Sequence, residues 1–151
     1  MSKYYIPIIG TISAGKTTFL KAFLGTEVLE TGATTTTKFI CLIKHSSKTS
    51  FYHVIPKKQN DGISFIKQGE EIKDINQIKK KIEEVNKSLS EKNGTKDDIF
   101  YMYETQIKNI KNQQLLDKCY FMDIPGLNED KKNYIEDIFY LISLKDILFE
   151  I

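Results

Sequence analysis

The sequence predicts an α/β fold, a three-layer sandwich in which a mixed, mostly parallel sheet lies between helices. Short apolar runs that suit buried strands alternate with segments of helical periodicity, and this is the first observation behind the prediction. The second is a glycine-containing turn that joins the first apolar run to the first helical segment. The third is size, because 151 residues with 40% hydrophobic residues are expected to form one domain around one core.

Three apolar runs predict the first strands of the sheet. Tyr4–Ile9 is a short run stopped by Gly10, which is typical of a buried strand of a parallel sheet. Phe39–Ile43 and Phe51–Ile55 flank a polar turn, so they are predicted to pair as an antiparallel hairpin at a sheet edge. Pro56 is predicted to end the last of these strands.

The longest predicted element is an amphipathic helix over Glu70–Asn93, a helical insertion at the periphery whose lysines and glutamates form a solvated face. The apolar residues predicted to point inward from it are Ile75, Ile78, Ile82, Val85 and Leu89. The remaining predicted elements are helix Lys16–Leu24 with Gly25 as its C-terminal stop, strands Ile99–Tyr103 and Cys119–Ile124, a helix marked by Ile135, Ile138, Phe139 and Ile142, and strand Asp146–Ile151.

Composition excludes several classes of function. Lys and Arg number 22 against 20 Asp and Glu, a formal charge of +2, which does not support a nucleic-acid partner. The 2 cysteines are far apart in sequence, so neither a disulfide framework nor a zinc site is expected. The first residues have neither the layout of a signal peptide nor an apolar run long enough to cross a bilayer. A cytoplasmic protein is the expectation.

Residues Gly10–Thr17 carry the strongest functional signal. They fit the pattern G-x-x-x-x-G-K-[ST], and they stand between a predicted strand and a predicted helix, as a phosphate-binding loop requires. The glycines let successive N–H groups turn toward the phosphates, and the helix that follows directs its positive end to the same place. Lys16 is then expected to reach the β- and γ-phosphates, and the Thr17 hydroxyl to bind Mg²⁺.

Two later segments supply what such a loop needs. Asp123 in Asp-Ile-Pro-Gly ends an apolar strand, where a second carboxylate on the Mg²⁺ side is expected. Gly126 allows its N–H to approach the γ-phosphate. A threonine cluster, Thr34–Thr37, precedes the strand at Phe39, and one of its hydroxyls is expected to complete the metal shell. We assign this role to Thr36, although the repeat leaves its neighbours as alternatives.

The phosphate loop, the threonine cluster and Asp-x-Pro-Gly, in this order, resemble a GTPase, and three details are similar to the dynamin superfamily. Ser13–Lys16 (SAGK) resembles the loop of that family, in which the serine assists catalysis. Leu24–Ile43 resembles its run from the first helix through switch one. Roughly seventy residues with a long charged helix lie between the strand at Phe39–Ile43 and the strand that leads to Asp123, as in dynamin-like G domains.

The resemblance implies a P-loop NTPase fold, Mg²⁺ as cofactor and GTP as ligand and substrate. The nucleotide contacts that it implies are Gly10, Ser13, Ala14, Gly15, Lys16, Thr17, Thr18, Asp123 and Gly126. The catalytic residues that it implies are Ser13, Lys16 and Thr36, and the metal ligands are Thr17, Thr36 and Asp123. It further implies a G-domain homodimer and peripheral association with membranes.

Two departures from the pattern limit the prediction. Leu127 stands near where Ras-type enzymes carry a water-orienting glutamine. No [Asn/Thr]-Lys-x-Asp guanine motif follows Asp123, and Thr95–Asp98, which matches it by letter, precedes Asp123 and is read as a solvated turn. Residues 1–151 are therefore expected to be a partial dynamin-like G domain, incomplete at the C-terminus and without its guanine-reading half. We expect such a chain to be weak or inactive alone and to bind GTP and ATP alike.

Two other functions remain open at this point. A non-hydrolysing nucleotide-binding or protein-interaction module would bind or dimerise without turnover. A P-loop kinase that uses ATP is disfavoured, because the threonine cluster and Asp-x-Pro-Gly are typical of hydrolase switches.

Overall fold

The structure is a computed structural model, and it describes residues 3–8, 16–25, 39–59, 62–91 and 99–124. These ranges hold six strands and three helices. In chain order they are β1 (Tyr4–Ile8), α1 (Lys16–Leu24), β2 (Ile40–His45), β3 (Ser50–Gln59), β4 (Gly62–Ile72), α2 (Ile75–Glu91), β5 (Phe100–Thr105), α3 (Gln113–Lys118) and β6 (Cys119–Asp123). The helix and strand predicted after residue 134 lie outside the described residues.

The six strands form one mixed sheet in the order β1-β6-β2-β5-β3-β4. β1 pairs with β6 and β2 pairs with β5 in parallel, whereas β2–β6, β3–β5 and β3–β4 are antiparallel. The predicted mixed sheet is confirmed. Its antiparallel pairs arise where β3 and β4 form a hairpin beside β5 and where β6 lies between β1 and β2.

All three described helices pack on one face of this sheet. The first core cluster joins apolar residues of α1, α2 and α3 to the sheet residues that point to the same side. Its helical members are Leu20, Leu24, Ile78, Ile82, Val85 and Leu116. The apolar stripe at helical spacing predicted the contacts of α2 with the sheet, since burial of one apolar stripe is what holds such a helix on a sheet.

The hairpin of β3 and β4 covers part of the opposite face. Tyr5 of β1 and Phe65 of β4 stand at opposite ends of the strand order, yet their rings meet edge to face with centroids 5.6 Å apart. The Tyr5 hydroxyl also donates to the Ile63 carbonyl at 3.4 Å. Ile63 is buried in the second core cluster together with Tyr5 and Met122. The hairpin therefore folds back across the sheet.

A bulge explains how the hairpin bends. Phe51 pairs with Ile72 and His53 with Gln68, so one residue of β3 opposes three of β4 at this place. Gly69 lies in the bulge with φ of 83°, a conformation that favours glycine. After Val54, β3 pairs with β4 alone, which lets the ribbon leave the plane of its neighbours.

Two sequence predictions about this region were wrong. β2 and β3 are not hairpin partners, because β5 lies between them. The run Phe100–Tyr103 is buried throughout, as suits a central strand. Pro56 does not end β3, which continues to Gln59; proline is tolerated there because that side of β3 has no pairing with β5 beyond Val54.

The long helix is shorter than predicted. Residues Glu70 to Ile72 belong to β4, and α2 begins at Ile75 because Asp74 caps it, accepting from the Gln77 N–H at 3.0 Å. Ile78, Ile82 and Val85 are buried as predicted. Ile75 was also predicted to be buried, but 46% of its surface is exposed. It is the first residue of α2 and precedes the residues that pack on the sheet. Strand β4 and the short helix α3 were not predicted.

Candidate functional site

The carboxyl ends of β1 and β6 lie side by side. The parallel register matches Ile8, the last residue of β1, with Asp123, the last residue of β6. The next residue, Ile124, donates its N–H to the Ile8 carbonyl at 3.3 Å, which continues the ladder by one step. Both strands therefore end at the same edge, where the loops that follow parallel strands commonly form ligand sites.

Asp123 is a buried carboxylate on the face that carries the helices. It is only 1% exposed. Phe121 and Cys119, which alternate with it along β6, both belong to the cluster under the helices. Because side chains two residues apart point to the same face of a strand, Asp123 points to the side of α1. A charge so placed needs compensation, which makes it a candidate to bind a cation.

Helix α1 begins at this edge and ends at the opposite one. The Leu24 carbonyl at its end accepts from the Lys108 N–H at 3.1 Å, and the Asn109 amide donates to the Ala22 carbonyl. Lys108 and Asn109 follow β5, which runs antiparallel to β1 and so ends at the edge away from Asp123. The N-terminus of α1, with its positive dipole end, consequently lies on the Asp123 side.

The C-terminus of α1 is fixed by a glycine. Gly25 has φ of 68°, and its N–H donates to the Lys21 carbonyl at 2.8 Å. This is the αL conformation that commonly terminates helices, and it confirms Gly25 as the stop predicted from the sequence. The helix is thus anchored at the end that lies away from the site.

Cys41 of β2 is the direct cross-strand partner of Asp123. The two residues are matched in the antiparallel register of β2 and β6, and both are 1% exposed. Burial raises the pKa of the Cys41 thiol well above its usual value, and the negative charge of Asp123 raises that pKa further. The sulfur beside the carboxylate is therefore a neutral thiol.

The structure brings together only part of the predicted site. Asp123 stands where it was predicted, and Lys16 and Thr17 open α1 as expected, with Thr18 exposed in its first turn. The side chains of Lys16 and Thr17 are outside what the structure describes. So are the other predicted site residues, namely Gly10, Ser13, Ala14, Gly15, Thr36 and Gly126. Their roles stay predictions.

The described part of the site fits a hard divalent cation. A buried carboxylate oxygen is a ligand that Mg²⁺ favours, and the arrangement puts it beside the end of β1. Within the described ranges no group of three or more His, Cys, Asp or Glu residues is close enough to form a metal site by itself. A cation held at Asp123 would need further oxygen ligands from elsewhere, which a bound nucleotide and its loop can supply.

Sequence reasoning missed the neighbour of the site carboxylate. Cys41 was noted only as one of two isolated cysteines, and both are indeed free and buried. Its position opposite Asp123 depends on the register of two strands that are almost eighty residues apart, a quantity that no local pattern encodes. The order of the strands in the sheet would have been needed to find it.

The sequence model described as the Dynamin family matches residues 6–149. Two solved chains of an oligomerised bacterial dynamin pair, described as providing a mechanism for long-range sensing and tethering of membranes, are similar in structure. One has a TM-score of 0.52 at 19% identity over 94% of this chain, and the other 0.49 at 20% over 97%.

This chain spans 19% of the length of each of those two chains. No curated protein matches it. In the described ranges, no helix combines the length and the apolar composition that crossing a membrane requires.

Proposed function

Because this chain belongs to the dynamin family, we propose that it binds GTP together with Mg²⁺ and that its G domain hydrolyses the nucleotide. One observation carries the proposal. The buried carboxylate of Asp123 ends β6 directly beside the end of β1, from which residues 9–15 lead to the N-terminus of α1. A phosphate-binding loop and an aspartate that binds the metal must lie side by side in this way to bind one nucleotide with its Mg²⁺.

The residues of this chain have distinct roles in the proposal. The N–H groups of Gly10 to Lys16 and the dipole of α1 hold the phosphates, and Lys16 neutralises the β- and γ-oxygens. Thr17, Thr36 and Asp123 would hold Mg²⁺, which would supply positive charge to neutralise the phosphates. The backbone of Asp123 is held in place, because β6 is paired with β1 on one side and with β2 on the other.

Hydrolysis requires a water molecule aligned with the γ-phosphate. No glutamine follows Gly126 closely. In this proposal the water is therefore positioned by switch one, the segment that contains Thr36. Ser13 assists at the bond that breaks. Gly126, just after the strand, has no side chain to keep its N–H from the γ-phosphate and would sense its release.

The proposal is tested by titrating the 151-residue chain with GTP in the presence of Mg²⁺ and by measuring phosphate release. Lys16→Ala should weaken binding roughly ten- to a hundredfold, the equivalent of the ~1.5–3 kcal/mol carried by a hydrogen bond between charged groups. The matched control is Lys80→Ala, which removes an exposed lysine of α2 on another part of the molecule. It should bind as the unaltered chain does.

Unchanged affinity in Lys16→Ala would refute the phosphate-loop assignment. Because this chain is expected to be weak or inactive alone, slow Mg²⁺-dependent phosphate release supports the GTPase. Tight Mg²⁺-dependent binding with no release even from a dimer would favour the non-hydrolysing module.

Family membership extends the proposal to partners. We propose a second G domain as the partner of the assembled protein, and peripheral contact with membranes, in line with the oligomerised, membrane-tethering pair that includes the similar chains. Sedimentation of the chain with GTP and with a non-hydrolysable analogue tests whether two G domains pair. The expected result is a dimer that forms only with nucleotide.

A further inference from the structure

We propose that the protein contacts a membrane through the outer face of the β3–β4 hairpin, and that this face fits a lipid surface that carries negative charge. The described members of the outer face are His53, Ile55 and Lys57 of β3 and Ser64, Ile66 and Gln68 of β4. The inference rests on the membrane part of the proposed function, because it names the surface that makes the contact. It is carried by two exposed isoleucines that oppose each other beside a lysine.

The two faces of the hairpin differ in what they contact. Val54 and Ile63 are buried in the second core cluster, so one face packs on the sheet. Side chains alternate along a strand, and Ile55 and Ile66 therefore point to the outer face, where they are 43% and 49% exposed. Because the register pairs these two residues directly, they form one apolar patch rather than two scattered side chains.

The charge on the outer face favours lipid as the partner. Lys57 is exposed, and none of the described residues of this face is acidic. The ion pair of Lys67 with Glu71 does not belong to it, since Lys67 alternates with Ile66 and its ammonium lies 4.9 Å from the centroid of the Tyr52 ring. An apolar patch beside a cation complements the negative surface of a leaflet that contains anionic lipids.

The size of the patch also separates lipid from a protein partner. A standard protein interface buries about 800 Å² on each side, which two half-exposed isoleucines and one lysine do not approach. Peripheral contact with a bilayer needs less, because each buried apolar group and each lysine near an anionic leaflet adds its own increment. An assembled protein presents several copies of the surface, so weak single contacts add up.

The test is sedimentation of the 151-residue chain with vesicles of phosphatidylcholine and with vesicles of equimolar phosphatidylcholine and phosphatidylserine. We expect tighter binding to the mixed vesicles. Lys57→Gln should weaken that binding about fivefold, the effect of one lysine near an anionic leaflet. The double variant Ile55→Thr with Ile66→Thr should weaken it roughly tenfold, since it removes apolar area from the patch. Threonine keeps the β-branch that suits a strand.

The chain offers a matched control for each change. Ile75, the first residue of α2, is 46% exposed, so Ile75→Thr makes the same replacement at similar exposure outside the hairpin. Lys80→Gln removes an exposed lysine of α2. Both controls should bind the mixed vesicles as the unaltered chain does. The thermal midpoint and GTP titration of every variant check that its fold is kept.

The outcomes separate this inference from the function on which it rests. If the unaltered chain binds GTP but not the mixed vesicles, the inference is overturned and the nucleotide part of the proposed function stands. If it binds vesicles, and the hairpin variants bind them as tightly as the controls, membrane contact stands but lies on another surface.

A second copy as the occupant gives a different result. A concentration-dependent dimer that the double isoleucine variant loses, without vesicle binding, would overturn the inference. Should the double variant not fold, Lys57→Gln decides alone, because it changes one exposed side chain. Unchanged affinity of Lys57→Gln for the mixed vesicles would then contradict the proposal.

Discussion

At the scale of single residues, the site depends on one carboxylate whose position is set by its strand. Asp123 is matched with Ile8 on one side and with Cys41 on the other, so its backbone cannot move without breaking two ladders. The sequence predicted Asp123, because an apolar run that ends in Asp-x-Pro-Gly is a local pattern. It did not predict Cys41, because cross-strand neighbours follow from register.

Ser13→Ala should lower turnover while leaving GTP affinity nearly unchanged. The reason is that its proposed role belongs to the transition state rather than to the bound ground state. We expect kcat to fall about a hundredfold, the usual cost of losing one well-placed donor to developing charge. Single-turnover phosphate release and equilibrium titration measure the two quantities separately. Equal losses in both would make Ser13 an ordinary loop serine.

At the scale of elements, α1 connects the two edges of the sheet and is anchored at its far end. Gly25, Lys108 and Asn109 together satisfy carbonyls of its last turn. A Cβ at Gly25 would lie 3.0 Å from the Asn109 side chain, and the φ of 68° is itself unfavourable for other residues. Stability of this end is thus tied to the loop after β5.

Gly25→Ala should reduce the free energy of unfolding by about 1 to 3 kcal/mol, the range for a residue held in an unfavourable backbone conformation. Denaturant titration gives the value. The double variant Gly25→Ala with Asn109→Ala separates the two causes, because it removes the clash but not the strain. If Gly25→Ala is as stable as the unaltered chain, the left-handed cap does not exist in solution.

The sequence predicted α2 by its apolar stripe but misplaced its start. Helical spacing identified Ile78, Ile82 and Val85 correctly. The residues just before them belong to β4, in which the bulge at Gly69 interrupts the alternation that marks a strand. When the alternation of apolar and polar residues is interrupted in this way, the sequence of a strand cannot be distinguished from the start of a helix.

Charge reversal of Lys79–Lys81 to glutamate should leave GTP affinity unchanged within about twofold, because Lys80 is exposed, Lys79 and Lys81 are partly exposed, and charges in contact with water are screened. The new glutamates would face Glu83 and Glu84 one turn on, so a small loss of helix stability is expected. Calorimetric titration checks the affinity. A drop of about tenfold, roughly 1.4 kcal/mol, would show that α2 contributes to the nucleotide site.

At the scale of the whole molecule, one sheet carries the site at one edge and a folded-back hairpin on one face. Strand order, the hairpin's bend and the contact of Tyr5 with Phe65 join residues that are far apart in sequence. Such pairings are decided by tertiary packing, so local patterns predicted strands β1, β2, β3, β5 and β6 but not the order in which they pair. The phosphate-loop pattern and the Asp-x-Pro-Gly pattern could be recognised in the sequence because each is confined to a short stretch of chain.

The central claim is that Asp123 and the loop after β1 bind Mg²⁺ and nucleotide together. The most direct test compares GTP binding with Mg²⁺ and with EDTA in Asp123→Asn, which keeps the shape and removes the charge. Asp117→Asn, an exposed aspartate of α3, is the control. We expect Asp123→Asn to lose the Mg²⁺-dependent gain in affinity while Asp117→Asn keeps it. If Asp123→Asn retains the full gain in a folded chain, the metal is held elsewhere and the claim is wrong.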